Sequence, residues 1–172
     1  MRTLDGVGIG VGINSSKRRF RNPVLNCEYQ LHYGETAMAS VQLSSNGSRY
    51  GQDIALRQFQ LVADEPTHLG GGDQGPTPTE LLLAGLGSCK AITIKMYAER
   101  KSWPVENIYV AAELQTVEKQ TVIAVYLTLV GDLTAEQRDR LHEISDRCPV
   151  HRLLSAGTPI QTVLTPAAIP SP

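Results

Sequence analysis

Alternation of apolar and polar positions predicts β-strands between residues 39 and 63. Apolar side chains stand at every second position over 39–43, which is typical of a half-buried strand, and Asn46-Gly47 then predicts a hairpin turn. The apolar parity of residues 54–56 is reversed over 59–63. A turn or bulge at Arg57-Gln58 would restore the apolar face, so we expect a strand on either side of it.

An apolar run with capping residues at its start predicts a long helix from about residue 78 to 101. Thr77 is the expected N-cap, Pro78 the first helical residue and Glu80 the third, which together make a capping box. Apolar residues occur on nearly every side, so we expect the helix to be buried all round. A stripe of small residues, Ala84, Gly87, Ser88 and Ala91, predicts the close approach of another backbone, and Gly85 and Gly87 predict tight packing that offsets their low helix propensity.

The remaining pattern predicts two strands, two helices and a last strand. Residues 108–114 alternate, whereas 121–130 are apolar on both parities, as in a central strand. A helix capped by Thr134 follows, and Pro149 starts a short helix that ends near residue 157. Residues 160–164 form the last predicted strand.

Composition and local bias divide the chain into three parts. It has 172 residues, 41% of them hydrophobic and 19% charged, which is typical of a globular protein. We expect a glycine-rich and basic arm over 1–22, a single domain over 23–166 and a proline-rich tail over 167–172. A formal net charge of −1 provides no overall field that would attract nucleic acid or a membrane surface.

Charge placement and cysteine number favour a cytoplasmic protein. The uncharged part of the apolar run, 81–89, is far shorter than the roughly 20 residues of a membrane span. The first residues lack the basic start and apolar core of a signal peptide. Three cysteines, an odd number, argue against a secreted disulfide scaffold, so we expect free thiols.

Two of the three cysteines are candidates for chemistry. Cys89 lies in the apolar helix and is either reactive or an inert core residue. Cys148 precedes Pro149 and is the expected N-cap of the short helix, where backbone N–H groups would lower its pKa. Arg147 and Arg152 would add positive potential, although Cys148 could serve only as a modest cap. Cys27 has no such context.

Two cysteine motifs identify a family resemblance. The run Gly-Pro-Thr-Pro-Thr-Glu-Leu-Leu-Leu-Ala-Gly-Leu-Gly-Ser-Cys covers residues 75–89, and Asp-Arg-Cys-Pro-Val-His-Arg covers 146–152. With Ala-Asp-Glu-Pro at 63–66 and the glycines at 70–72, these runs resemble the OsmC/Ohr family of osmotically induced and organic hydroperoxide resistance proteins. The resemblance spans roughly residues 35–165.

The resemblance implies an α+β fold in which a long apolar central helix packs between antiparallel sheets of an intertwined homodimer. It also implies a thiol peroxidase that reduces organic hydroperoxides without a cofactor or metal. Cys89 would attack the peroxide and Cys148 would resolve the product as a disulfide. An external dithiol, in the family often a lipoyl-bearing protein, would then restore the two thiols.

The resemblance further implies a catalytic glutamate and a catalytic arginine. Glu80 matches the place of the glutamate, but nine residues of straight helix put it on the face opposite Cys89, about 13 Å away. It would therefore serve a partner subunit's cysteine, or act only as the capping residue, or both. No motif places the arginine; Arg57 is the leading candidate, ahead of Arg49 and of His68.

Two other functions remain open from the sequence. The chain could bind an apolar small molecule at a dimer interface without efficient peroxidase turnover, which the lack of an assignable arginine favours. It could also hold a metal through Cys89, Cys148 and His151, although structural zinc normally has four ligands and no fourth is evident. Alternatively, His151 would only modulate Cys148.

Overall fold

The computed structural model describes residues 39–164. Of the described residues, 39–161 belong to one compact unit. The predicted arm over 1–22, Cys27 and the tail over 167–172 lie outside the described residues.

The first sheet is a three-stranded antiparallel meander. Its strands are β1 (Gln42–Ser45), β2 (Gln52–Leu56) and β3 (Phe59–Ala63), in the order β1-β2-β3. The hairpin predicted at Asn46-Gly47 is confirmed: Asn46 N donates to Gly51 O at 3.2 Å, and Gly47 has φ +86°. The turn predicted from the parity reversal is also confirmed, since Arg57, at φ +52°, lies between β2 and β3.

A buried carboxylate orders the glycine-rich loop that follows β3. Asp64 is buried and accepts hydrogen bonds from the N–H groups of Glu65, Gly72 and Gln74 at 2.8, 3.0 and 3.3 Å. A Cβ on Gly75 would collide with the backbone carbonyl of Val62, so only glycine permits the loop to return so close to β3. The Ala-Asp-Glu-Pro motif therefore has a structural role.

The long helix begins where the capping residues predict. Helix α1 runs over Pro78–Arg100 with Thr77 as its N-cap. Thr77 Oγ1 accepts a hydrogen bond from Glu80 N at 3.2 Å, and Glu80 Oε2 accepts one from Thr77 N at 2.7 Å. The predicted capping box is confirmed, as is the one between Thr134 and Gln137.

A β-hairpin and two shorter helices complete the described fold. Strands β4 (Asn107–Val117) and β5 (Gln120–Val130) pair antiparallel and are followed by helices α2 (Ala135–Ser145) and α3 (Pro149–Ser155). Helix α1 packs against β4, α2 and α3. The central core consists of the buried residues Ile94, Ala98, Val105 and Leu141. The α+β class with antiparallel sheets and a long central helix is thus confirmed.

The expectation that α1 is buried all round is wrong for the described chain. Only one row of side chains is buried, whereas Ile92 and Met96 are 59% and 66% exposed. The expected close packing at the glycines is also wrong. A Cβ on Gly85 would meet nothing within 4 Å among residues 39–164, and one on Gly87 would lie at an ordinary 3.5 Å from Val110. The sequence pattern shows that these positions are apolar but not what covers them.

Two strand predictions also need correction. Strand β5 was expected to be central, but within the described residues it pairs only with β4. Its side chains alternate, with Leu127 and Leu129 packed on the core and Tyr126 exposed. Residues 160–164 are not a strand, because no neighbouring strand in the described part of the chain pairs with them.

Helix α1 is long and apolar enough to cross a membrane, judged by length and composition alone. Its contacts with β4, α2 and α3 place a row of its side chains in a protein core. We therefore interpret it as the core helix of this fold.

Removing the N-cap of α1 should destabilise the protein modestly. Thr77→Ala eliminates the side-chain acceptor for Glu80 N, which should lower the free energy of unfolding by about 1 kcal/mol. Thr79→Ala, two residues further along the same helix, is the matched control and should change it by less than about 0.5 kcal/mol. Urea denaturation followed by circular dichroism measures both. Equal effects of the two variants would contradict the capping role.

Candidate active site

The fold brings together the two candidate cysteines, Cys89 and Cys148. Cys89 is half-buried on α1, and Cys148 is completely buried at the N-cap of α3. Both are free thiols, and Cys89 lies close enough to Cys148 to raise the pKa of the Cys148 thiol. His151 N donates to Cys148 Sγ at 3.2 Å, which is the capping bond expected from the sequence.

The expected direction of the Cys148 pKa is wrong. Burial raises the pKa of the Cys148 thiol above its ordinary value, and the neighbouring Cys89 raises it further. The hydrogen bond from His151 N acts in the opposite direction and is second only to burial, and the positive charge of Lys90 adds a smaller lowering of the pKa. The sequence indicated the cap correctly but could not show that the sulfur is shielded from water.

Lys90 and Asp146 form an ion pair beside these thiols that the sequence analysis did not identify. Lys90 is 4% exposed, and its Nζ lies 2.7 Å from Asp146 Oδ1. The same nitrogen is 3.4 Å from Ser145 O, at the carboxyl end of α2. Its charge lowers the pKa of Asp146 through this hydrogen bond, against a smaller opposing effect of burial. The signal was the spacing Leu86, Lys90, Ile94, which puts a lysine in the buried row of α1.

His151 lies next to the same ion pair. Its Nδ1 lies 3.6 Å from Asp146 Oδ1. Lys90, Asp146 and His151 all line one cavity of about 410 Å³, which Ile123 and Val125 of β5 close from the other side. Among residues 39–164, no three His, Cys, Asp or Glu side chains come together as a metal site, so the Cys89, Cys148 and His151 set is not assembled.

Glu80 is separated from Cys89 along the helix, as its spacing predicted. Its carboxylate is bound by the Thr77 backbone N–H and hydroxyl, which lower the Glu80 pKa and favour the charged form. It also borders a second cavity of about 440 Å³ between α1 and β4. That cavity is lined chiefly by small and apolar side chains: Leu83, Ala84, Gly87, Ala91, Ile108 and Val110.

The arginine candidates lie elsewhere in the described fold. The Arg57 guanidinium is 5.3 Å from the centre of the Phe59 ring, and that of Arg49 is 5.1 Å from the centre of the Tyr50 ring. His68 is exposed in a short 3₁₀ helix. Within residues 39–164, no hydrogen bond or ion pair connects any of the three with either cysteine.

Comparison with known proteins identifies the family of the chain. A model of the family described as OsmC-like protein matches residues 70–163, more than half of the chain and including both cysteines. The chain belongs to the OsmC-like protein family. No curated protein matches the sequence.

Solved structures share the fold of this OsmC-like chain. An OsmC-like protein from Mycoplasma pneumoniae is 20% identical with a TM-score of 0.57, the match covering 70% of this chain and 89% of the other. An organic hydroperoxide resistance protein OsmC from Legionella pneumophila is 16% identical, with a TM-score of 0.53 and coverages of 69% and 91%. OhrB, the organic hydroperoxide resistance protein of Bacillus subtilis, is 19% identical, with a TM-score of 0.50 and coverages of 71% and 93%.

The Lys90–Asp146 pair of this OsmC-like chain should make stability depend on acid pH. Asp146→Asn leaves the buried Lys90 ammonium without its counter-charge and should lower the free energy of unfolding at neutral pH by about 1–3 kcal/mol. Because the folded-state pKa of Asp146 is lowered, its contribution is present above the unfolded pKa and is lost as the pH falls through the folded one.

The difference in stability between wild type and Asp146→Asn should therefore begin to shrink as the pH falls below about 4, near the unfolded pKa, and should vanish only below the lowered folded-state pKa of Asp146. Urea denaturation across this pH range measures it. Asp139→Asn, on an exposed position of α2, is the control and should show little difference at any pH. A difference for Asp146→Asn that persisted unchanged in acid would contradict the ion-pair explanation.

Proposed function

We propose that this chain is a cysteine-based peroxidase that reduces organic hydroperoxides. The observation that carries the proposal is the pairing of Cys89 and Cys148, two free thiols within reach of each other in an OsmC-like fold. Structural neighbours named as organic hydroperoxide resistance proteins support the substrate class. The family is associated with hydroperoxide resistance in general. The individual chemical steps are our proposal.

In the first step the Cys89 thiolate attacks the peroxide. Its sulfur forms a bond to the terminal oxygen of ROOH while the O–O bond breaks, and the alkoxide RO⁻ leaves and takes up a proton to become the alcohol. Cys89 is oxidised by two electrons to a sulfenic acid, and the hydroperoxide is reduced by two. Cys89 is the more accessible of the two residues, since it is only half-buried whereas Cys148 is buried, and it is therefore the proposed nucleophile.

In the second step Cys148 resolves the sulfenic acid. The Cys148 sulfur attacks the Cys89 sulfur, an S–S bond forms, the S–O bond breaks, and water leaves with the Cys148 proton. An external dithiol then reduces the disulfide by two exchange steps and is itself oxidised to a disulfide. A lipoyl-bearing protein is the proposed donor. Each step is carried by sulfur, so the proposal requires neither a metal nor a cofactor.

A second copy of the chain is the proposed partner. Leu82, Ile92 and Met96 expose an apolar stripe along α1, and Cys89 lies in that stripe by its three- and four-residue spacings. Exposed apolar patches of this kind mark interaction surfaces. An intertwined homodimer would cover the stripe and could bring Glu80 or Arg57 of one copy to Cys89 of the other, which a single chain does not do.

We further propose that the protein works in the cytoplasm. The proposed cycle requires Cys89 and Cys148 to return to free thiols after each turnover, which a reducing compartment with a dithiol donor maintains.

The cavity between α1 and β4 supports a second candidate function. Its volume of about 440 Å³ lies in the range of small-molecule sites, and apolar side chains such as Leu83, Ile108 and Val110 line part of it. In this alternative, the chain binds an apolar small molecule as a stress protein without efficient turnover. The absence of a cysteine-linked arginine among the described residues favours it, and the paired thiols disfavour it.

Peroxide consumption separates the two candidates. Purified protein supplied with cumene hydroperoxide and a dithiol should consume the peroxide, and Cys89→Ser should reduce the rate at least about a hundredfold because the nucleophile is lost. Cys148→Ser should permit one turnover and then over-oxidation of Cys89, seen by mass spectrometry. Cys27→Ser is the matched control and should retain the wild-type rate. Consumption no faster than that of Cys89→Ser would contradict the peroxidase and favour the binding function.

Dimerisation should depend on the exposed stripe of α1. Ile92→Lys places a charge in the stripe and should raise the dimer dissociation constant about tenfold or more. Asp139→Asn produces the same change in net charge on α2 and should leave the constant unchanged. Sedimentation equilibrium measures both. A wild-type protein that remains monomeric at micromolar concentration would overturn the dimer proposal.

A further inference from the structure

A lysine occupies a position of α1 where the pattern of the helix calls for an apolar residue. The buried row of the helix is Leu86, Gly87, Lys90, Ile94 and Ala98. Placing an ammonium group there is unfavourable unless it is paired, and an apolar side chain of similar size is often as stable or more so. The stability of the fold therefore does not by itself account for a lysine at position 90.

The Lys90 ammonium is directed at the segment that carries Cys148. Its Nζ reaches Ser145 O at 3.4 Å, Ser145 Oγ at 3.5 Å and Asp146 Oδ1 at 2.7 Å. Cys148 N in turn donates to the same Ser145 carbonyl at 3.4 Å. One cation on α1, next to Cys89 in sequence, thus ties down the turn between α2 and α3 that ends at Cys148.

We propose that Lys90 is a positioning residue for disulfide formation: its ammonium, held by Asp146, fixes the 145–148 turn against α1 and supplies the positive charge that stabilises the Cys148 thiolate as it attacks Cys89. The inference rests on the proposed function, because the reaction step is taken from the proposed peroxidase cycle. The role of Lys90 itself concerns only the attack of the Cys148 sulfur on the Cys89 sulfur. The same attack occurs in any thiol–disulfide exchange between the two cysteines.

The charges around Cys148 are consistent with this role. Lys90 and Cys89, both on α1, act on the Cys148 thiol, and its own helix α3 contributes the His151 N–H. Asp146 contacts both Lys90 and His151. His142 of α2 is near Asp146. Burial disfavours the thiolate, the His151 N–H offsets part of that effect, and Lys90, a side-chain cation, offsets a smaller part. Without it the Cys148 pKa should rise further, so less thiolate is present at a given pH.

A disulfide reagent tests the inference without any peroxide. In a Cys27→Ser background, 5,5′-dithiobis(2-nitrobenzoate) first reacts with Cys89, whose sulfur forms a mixed disulfide as one thionitrobenzoate leaves. Cys148 then attacks the Cys89 sulfur, closes the Cys89–Cys148 disulfide and displaces the second thionitrobenzoate. Stopped-flow absorbance resolves the two releases, and Cys148→Ser identifies the second because it lacks it.

Lys90→Met should slow the second release about tenfold or more and shift its pH profile to higher pH, while the first release changes little. Lys90→Arg keeps the charge and should recover most of the rate. Lys95→Met is the matched control: this lysine of the same helix donates to Val105 O at 3.1 Å, away from the turn. Lys90→Met should fold, because Asp146 is half-exposed and remains solvated without its partner.

A second release in Lys90→Met with the wild-type rate and pH profile would overturn the inference. A wild-type protein that shows no second release of thionitrobenzoate would also overturn it. A merely structural role would lower the melting temperature without moving the pH profile, which also contradicts the inference. If hydroperoxide is not consumed but Lys90→Met still slows the second release, the peroxidase proposal fails and the positioning role stands.

Discussion

The packing of α1 against α2 and α3 is the constraint on which the candidate site depends. Ile94 and Leu141, both completely buried, join α1 to α2 and thereby determine where the turn after α2 lies. Cys89 is on the first of these helices, and Cys148 follows the second across that turn. Two thiols far apart in sequence become neighbours because an apolar core, and not a covalent link, holds the helices together.

Polar contacts then fix the turn that ends at Cys148, which the apolar core brings close to α1. A buried lysine would be costly in isolation, but Asp146 and the carboxyl end of α2 provide it with acceptors. The same pair lies beside a sulfur whose burial opposes ionisation. The candidate site therefore combines a shielded, weakly acidic thiol with one cation that partly offsets its burial. A half-exposed second thiol, Cys89, is placed to meet an external reactant.

The exposed apolar stripe of α1 is the surface that the proposed homodimer would cover. The buried row of α1 is accounted for by β4, α2 and α3, whereas the stripe containing Ile92 and Met96 contacts water in a single chain. Local sequence pattern cannot separate these two cases, because both faces are equally apolar. This is why the expectation of an all-round buried helix and of tight packing at Gly85 failed for the described chain, although the element itself was predicted correctly.

The sequence by itself determined most of the elements and several of their limits, although not the absence of a strand over 160–164. Capping boxes at Thr77 and Thr134, the Asn46-Gly47 turn and the parity reversal at Arg57 act over a few residues, so they can be recognised without knowing the fold. The cysteine motifs indicated Cys89 and Cys148 for the same reason. Only the tertiary structure decided that Cys148 is shielded from water, that its pKa is raised, and that the charge of Lys90 acts on it. Burial and charge proximity depend on side chains from distant parts of the chain, and no local pattern encodes which of them will meet.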